Sequence, residues 1–285
     1  MSLSYRLGSN ALFERPNEET KQPERVIFLS VEGTTTEVCY FRYVERNREA
    51  LGIKAIVHLE VLRRRDTKSD PESVLELLEE YVQFRNEGKF EAEIDALNLK
   101  KYDSDFIKAY LEDAEKIPEK KRHRFEAILK EEHIDLLYLD FLSRFHGERD
   151  MFGIVIDRDE KSHPAEQMQK IIAKCEEKKY SYYITNPCFE FWQLLHVSDA
   201  AIEYKENLPE ILKNELDEKG NTFVSNLLHG KTGERKRITA KSFEENYLPN
   251  IDFAIERAEK FALPQHLLTE LGSNLGSLFQ ELRNP

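Results

Sequence analysis

The stretch Phe152-Gly153-Ile154-Val155-Ile156-Asp157-Arg158-Asp159 decides how this chain is read. It is a short apolar run that ends in two acids, and it reads as a buried strand of a parallel sheet. Alternation along an extended backbone points Asp157 and Asp159 to one side and Arg158 to the other. A second run, Val26-Ile27-Phe28-Leu29-Ser30-Val31, ends in Glu32-Gly33. The carboxyl ends of parallel strands share one edge of an open α/β sheet, so Glu32, Asp157 and Asp159 are expected to converge. Carboxylates so gathered repel one another unless a cation sits among them. Hard oxygen donors without a cysteine or histidine set favour Mg²⁺ or Mn²⁺. Taken singly, each motif also reads as a turn former or a helix N-cap; their joint placement favours the metal site.

Outward from these two strands the alternation continues. Residues 1–24, with Pro16 and Pro23, read as an N-terminal arm. Thr34-Thr35-Thr36-Glu37 offers capping hydroxyls and an early carboxylate to a helix carrying Val38, Phe41 and Val44. Ile53 to Leu62 reads as the second strand, and Ser69-Asp70-Pro71-Glu72 caps a helix with Val74, Leu77, Leu78, Tyr81 and Val82 on one face. After the acidic pair comes a helix with Pro164 in its first turn and Met168, Ile171, Ile172 and Cys175 inward. Ser181 to Thr185 is the fourth strand, ended by Asn186-Pro187, and a further helix starts almost at once. On it Phe189, Trp192 and Leu195 face a core, while Glu190 lies elsewhere. His196 sits about 120° around the helix from Glu190, so the two are not one catalytic pair. The expected organisation is a parallel-sheet core over 25–90 and 150–200, a helical insertion over 91–149, and a mainly helical region over 201–285. Within the last, the Gly-, Thr- and Lys-rich text between Lys219 and Lys241 reads as mobile.

The insertion is charged helical text with many aromatic residues: Tyr102, Phe106, Tyr110, Phe125, Tyr138, Phe141 and Phe145. These exceed what one thin helical hairpin buries against itself, so the segment is expected to serve as a lid, a partner surface or a substrate guide.

The 285 residues are 40% hydrophobic, enough for a core, and the net charge of −12 argues against a protein that coats nucleic acid indiscriminately. Local cationic patches remain open to an enzyme acting on nucleic acid. They are Arg63-Arg64-Arg65 with Lys68, Lys120-Lys121-Arg122-His123-Arg124, and Lys231 with Arg235-Lys236-Arg237. Each also reads as a solvated face. The first leaves the second strand near the acidic edge, which makes it the patch expected to meet substrate phosphates. Cys39, Cys175 and Cys188 form no CxxC pair, so neither a disulfide framework nor a zinc site is indicated, and a cytoplasmic setting fits. The opening residues lack an apolar signal core, and the apolar stretches are strand-sized or interrupted by charge, so no membrane span is expected.

Val31-Glu32-Gly33 with Thr36-Glu37 and Tyr40-Phe41 resembles the "EG-x-x-TE-x-x-YF" pattern of the RloB-like family. The stretch Asn186-Pro187-Cys188-Phe189-Glu190-Phe191-Trp192-Gln193-Leu194-Leu195-His196 is its most specific signature here, with a weaker echo in Ser273 to Leu278. The resemblance covers roughly residues 25–90 and 150–200. It implies a Toprim-like core whose metal site maps to Glu32, Asp157 and Asp159. It also implies an anti-phage, abortive-infection or restriction-associated setting with an ATPase partner.

The function expected from residues and resemblance together is metal-dependent hydrolysis of phosphodiesters in DNA or RNA. Asp157 and Asp159 hold the ion, Glu32 binds a second ion or acts as acid or base, and Glu190 is the candidate for a further ligand. Two alternatives stay open: a non-catalytic assembly or signalling subunit, and a nucleotide-sugar transferase whose Asp-x-Asp holds a diphosphate-bound metal. A homo-oligomer is compatible with either.

Overall fold

The structure is a computed structural model that describes residues 25–54, 57–62, 70–87, 102–131, 149–234 and 238–284. In chain order it runs β1 (Arg25–Val31), α1 (Thr36–Arg46), β2 (Val57–Val61), α2 (Pro71–Glu87), α3 (Ser104–Asp113), α4 (Glu119–Glu131), β3 (Met151–Asp157), α5 (Ala165–Lys178), β4 (Ser181–Asn186) and α6 (Phe189–Val197). Short turns of helix over Ala200–Glu203 and Leu208–Lys213 lead to α7 (Phe223–Thr232). A π-helical turn, Phe243–Tyr247, precedes α8 (Ile251–Ala258), then come β5 (Gly272–Ser273) and α9 (Leu275–Arg283). The chain divides into two compact units, one holding residues 22–62, 69–78 and 148–285, the other 1–21, 63–68 and 79–147.

The larger unit is α/β. Its sheet has the order β2-β1-β3-β4-β5, parallel throughout except for the two-residue β5, which runs antiparallel to β4. The chain therefore steps from β1 outward to β2, then returns to place β3 on the other side of β1. That reversal leaves a crevice outside the carboxyl ends of β1 and β3, where open α/β sheets bind their ligands. Both sheet faces are covered, which is why the strands are apolar in both directions. Ile27, Leu29 and Val31 join a cluster with Tyr40, Phe41, Trp192, Leu195 and Phe279. On the opposite face Phe28 stacks on Phe152 at 5.5 Å, and the buried Ser30 hydroxyl donates to Val74 O of α2 at 2.7 Å.

The sheet ends at β5 by an unusual device. Ile184 N donates to Asn274 Oδ1 at 2.6 Å, Asn274 Nδ2 donates to Tyr182 O at 3.0 Å, and Asn274 N donates to Ile184 O at 3.2 Å. One asparagine thus substitutes for a stretch of strand along β4.

The smaller unit's described helices pack through aromatic rings. Phe125 of α4 is fully buried, with Tyr102, Phe106 and Tyr110 centred 4.8, 5.1 and 5.0 Å from it. Phe106, Tyr110 and Phe125 are buried in this cluster, and Tyr102 is half-buried against it. The excess inferred from composition does not extend to them, because edge-to-face geometry lets one ring serve three neighbours. Tyr138, Phe141 and Phe145 lie outside the described residues.

Three local expectations are corrected. Thr35 occupies the N-cap of α1 without a side-chain cap bond. The reason is that Glu37 turns back instead and accepts from Gly33 N at 2.9 Å. Pro164 precedes α5 as its N-cap and does not lie inside the first turn. The text read as mobile between Lys219 and Lys241 contains α7, anchored by buried Val224 and Leu228 one turn apart.

Candidate functional site

β1 and β3 are adjacent, with Val31 in register with Val155. Glu32 N continues that pairing by donating to Val155 O at 3.1 Å, and its side chain crosses the strand end so that Asp157 N donates to Glu32 Oε2 at 2.9 Å. The two acids singled out at separate strand ends therefore meet at the carboxyl edge. Glu32 Oε1 contacts His163 Nε2 at 3.2 Å, with both side chains largely buried at 14% and 8% exposure. The hydrogen bond to Glu32 raises the His163 pKa above its ordinary value, with the charges of Glu32, Asp159 and Asp70 adding to it and burial opposing.

Two further carboxylates complete the group. Glu37, at the start of α1, is buried beneath Gly33. A Cβ on Gly33 would collide with Glu37 Oε2, so a side chain there would displace that carboxylate from its bond to Gly33 N. Burial raises the Glu37 pKa to about 7, with Glu190 and Glu32 adding repulsion. Glu190 belongs to the first turn of α6, whose Phe189 N–H opposes the rise in the Asp157 pKa. Burial drives Asp157 well above the ordinary carboxylate range, and Glu32, Glu37 and Glu190 push in the same direction. Burial, followed by Glu190 and Asp157, likewise raises the Cys188 thiol.

Asp159 is bonded within its own turn. Its Oδ1 accepts from Lys161 N at 3.1 Å and its Oδ2 from Ser162 Oγ at 2.7 Å, while its carbonyl accepts from His163 N at 2.8 Å. It shapes the turn that delivers His163 to Glu32. Arg158 points the other way, as alternation requires, and its buried guanidinium donates to Leu268 O at 2.9 Å and His163 O at 2.8 Å. Arg63, Arg64 and Arg65 lie outside the described residues.

The Tyr40, Trp192 and His196 side chains explain the most specific stretch of sequence without chemistry of their own. His196 Nδ1–H donates to Trp192 O at 3.0 Å, which leaves Nε2 to accept from Tyr40 OH at 3.0 Å. Tyr40 OH in turn accepts from Trp192 Nε1–H at 3.0 Å. All three are buried, and burial lowers the His196 pKa to about 3, so the ring is neutral. This closed network ties α1 to α6 and fixes the separation of Glu37, one turn before Tyr40, from Glu190, two residues before Trp192.

The donor chemistry of Glu32, Glu37, Asp157 and Glu190 suits a hard divalent cation: mutually repelling oxygen donors, with Glu37 buried and the other three partly exposed. The side chains are not drawn up around a centre. Among the described residues no three His, Cys, Asp or Glu groups form a ready coordination set, and Glu32 engages both oxygens within the protein. No described helix is long and apolar enough to cross a membrane.

A family model described as RloB-like protein matches residues 27–282. The chain belongs to the RloB-like protein family. No curated protein and no solved structure matches it.

Proposed function

We propose that this RloB-like protein is a Mg²⁺- or Mn²⁺-dependent nuclease with a Toprim-type core, cutting phosphodiesters of DNA or RNA. The observation that carries the reading is the meeting of Glu32 and Asp157 at the switch point of the parallel sheet, with Glu37 and Glu190 brought to the same carboxylate group. Asp157 and Glu32 would hold a cation there, with Glu190 as a further donor, and the ion would supply Lewis-acid polarisation of a phosphate and a lowered pKa for bound water. Glu37 holds the Gly33 turn against the site, and His163 hydrogen-bonds Glu32. Asp159 keeps the His163 turn in place. The family resemblance supports an effector role in a defence or restriction-associated system with an ATPase partner.

The test is incubation of the wild type with DNA and RNA in Mg²⁺ or Mn²⁺, with and without a candidate ATPase partner. Cleavage by the wild type that disappears in EDTA, and in the Asp157→Asn and Glu32→Gln variants, supports the proposal. Cleavage retained by both variants overturns it. Partner binding that persists in EDTA without any cleavage selects the non-catalytic alternative.

A further inference from the structure

Residues 116–124 carry five lysines and arginines against the single acid Glu119, in a chain of net charge −12. In the structure they lead into and begin α4, whose inner side is fixed by the fully buried Phe125 and by buried Leu129. Arg122 is turned inward, its guanidinium bonded to Ala114 O at 3.4 Å and near Glu126 Oε1 at 3.8 Å. Lys120, Lys121 and Arg124 face solvent, and Lys121 Nζ rests 4.3 Å from the Phe106 ring centre. Lys120 and Arg124 are one turn apart, Lys121 and Arg124 three residues apart, so the three share one face. Exposed Ala127 follows on the same stripe and leaves it open to close approach.

This placement works against the isolated helix. Cations in the first turns oppose the helix macrodipole, and like charges four residues apart repel. Among the described residues neither Lys120 nor Arg124 has a carboxylate partner that would offset this. The positive end of the dipole and the three side chains instead add to a single positive field on a rigid, aromatic-anchored support. A polyanion laid on that face relieves both costs at once.

We propose that the exposed face of α4, through Lys120, Lys121 and Arg124, docks the phosphate backbone of nucleic acid. The inference rests on the reading above that nucleic acid is the substrate, and it gives the smaller unit the task of holding that substrate. Phosphate contacts position a nucleic acid without reading its sequence, so the surface is expected to bind duplexes of unrelated sequence alike.

The experiment is fluorescence anisotropy with a short labelled duplex DNA, in EDTA, over a salt series. The full-length wild type is compared with Lys120→Ala/Lys121→Ala/Arg124→Ala and with a control of equal charge change, Lys213→Ala/Lys219→Ala/Lys241→Ala. The α4 variant is expected to melt no lower than wild type and to bind more weakly. Its plot of log affinity against log salt should be flatter by about 0.9 for each phosphate it no longer neutralises. An unchanged slope, an equal loss in the control, or no binding by the wild type overturns the proposal. So does polyglutamate competing as well as unlabelled DNA, which would mark the face as a site for an acidic protein. Because binding is read in EDTA, the enzyme reading fails separately. Wild type that binds through α4 yet cuts nothing in Mg²⁺ or Mn²⁺ leaves this surface standing.

Discussion

Glu32 accepts the backbone N–H of Asp157 at 2.9 Å, so the side chain ending one strand is tied to the main chain ending its neighbour. The bond costs the protein electrostatically, because it holds one carboxylate beside another that burial has already raised well above its ordinary pKa. Removing the charge on Asp157 should therefore not harm the metal-free fold. Asp157→Asn is expected to melt at or slightly above wild type at pH 8 in EDTA, and to lack the thermal shift that Mg²⁺ or Mn²⁺ is expected to give the wild type. A large fall in its melting temperature would show that Asp157 is a structural cap.

The pH dependence of the metal-free protein follows from the same group. Glu37 has its pKa raised from 4.5 to about 7, so between those values the folded state holds more protons than the unfolded one. Its contribution to stability must then fall as pH rises through that window. The raised pKa of His163 acts with the same sign above its unfolded value of 6.5. The buried, neutral His196 acts with the opposite sign below 6.5, so the Glu37 contribution is read against a Glu37→Gln variant that shares that histidine. Relative to that variant, wild type in EDTA is expected to lose on the order of 1–3 kcal/mol of stability between pH 5 and pH 8 in urea titrations. A relative stability that rises over that range would contradict the burial of Glu37.

Gly33→Ala tests the close approach over Glu37. A methyl group there would overlap Glu37 Oε2 and lie 2.5 Å from its Cδ, so the carboxylate has to move. Cleavage should fall at least tenfold while the circular dichroism spectrum stays as in wild type. Normal activity in this variant would mean that the position of Glu37 is unimportant.

Tyr40→Phe keeps the ring and its packing but strands Trp192 Nε1–H and His196 Nε2 in the core. The expected cost is about 1–3 kcal/mol. The Mg²⁺ concentration needed for half of the thermal shift should also rise, because the network sets the spacing of Glu37 and Glu190. A Leu228→Ala variant of similar stability is the control, and an equal change in its Mg²⁺ midpoint would reduce the network to ordinary core packing.

Asp159→Asn separates the two tasks open to the second acid of the Asp-x-Asp motif. An amide retains the acceptor for Lys161 N and can still meet Ser162, so the turn should survive and activity should fall less than tenfold. A loss as deep as that of Asp157→Asn would make Asp159 a ligand.

How far the site is legible in the sequence depends on whether a residue's task is local. Glu32 and Asp157 are legible because apolar runs announce parallel strands and the end of a strand fixes where the next side chain stands. Glu37 is visible only as an early acid on a helix. Its role comes from a glycine four residues earlier that leaves room for it, and side-chain direction over so short a span is not written in periodicity. His163 carries no signal, since it reaches Glu32 through a turn set by Asp159. β5 has none either: a two-residue strand has no alternation, and Asn274 completes it by imitating a backbone. Trp192 is legible as core from its helical spacing, whereas its bond to Tyr40, and that of Tyr40 to His196, join residues over 150 positions apart and carry no local signal.

That asparagine also governs when the sheet can be finished. The bond from Ile184 to Asn274 spans 90 positions, so a ribosome that has delivered β4 must add all of that chain before its outer edge is sealed. Until then the outer edge of β4, a strand with two tyrosines and one isoleucine, presents open N–H and C=O groups to whatever other nascent chain is near. The interval during translation, more than the finished molecule, is where this protein is exposed to mispairing. Slowing synthesis between residues 186 and 274 should therefore raise its aggregation more than slowing it anywhere before β4.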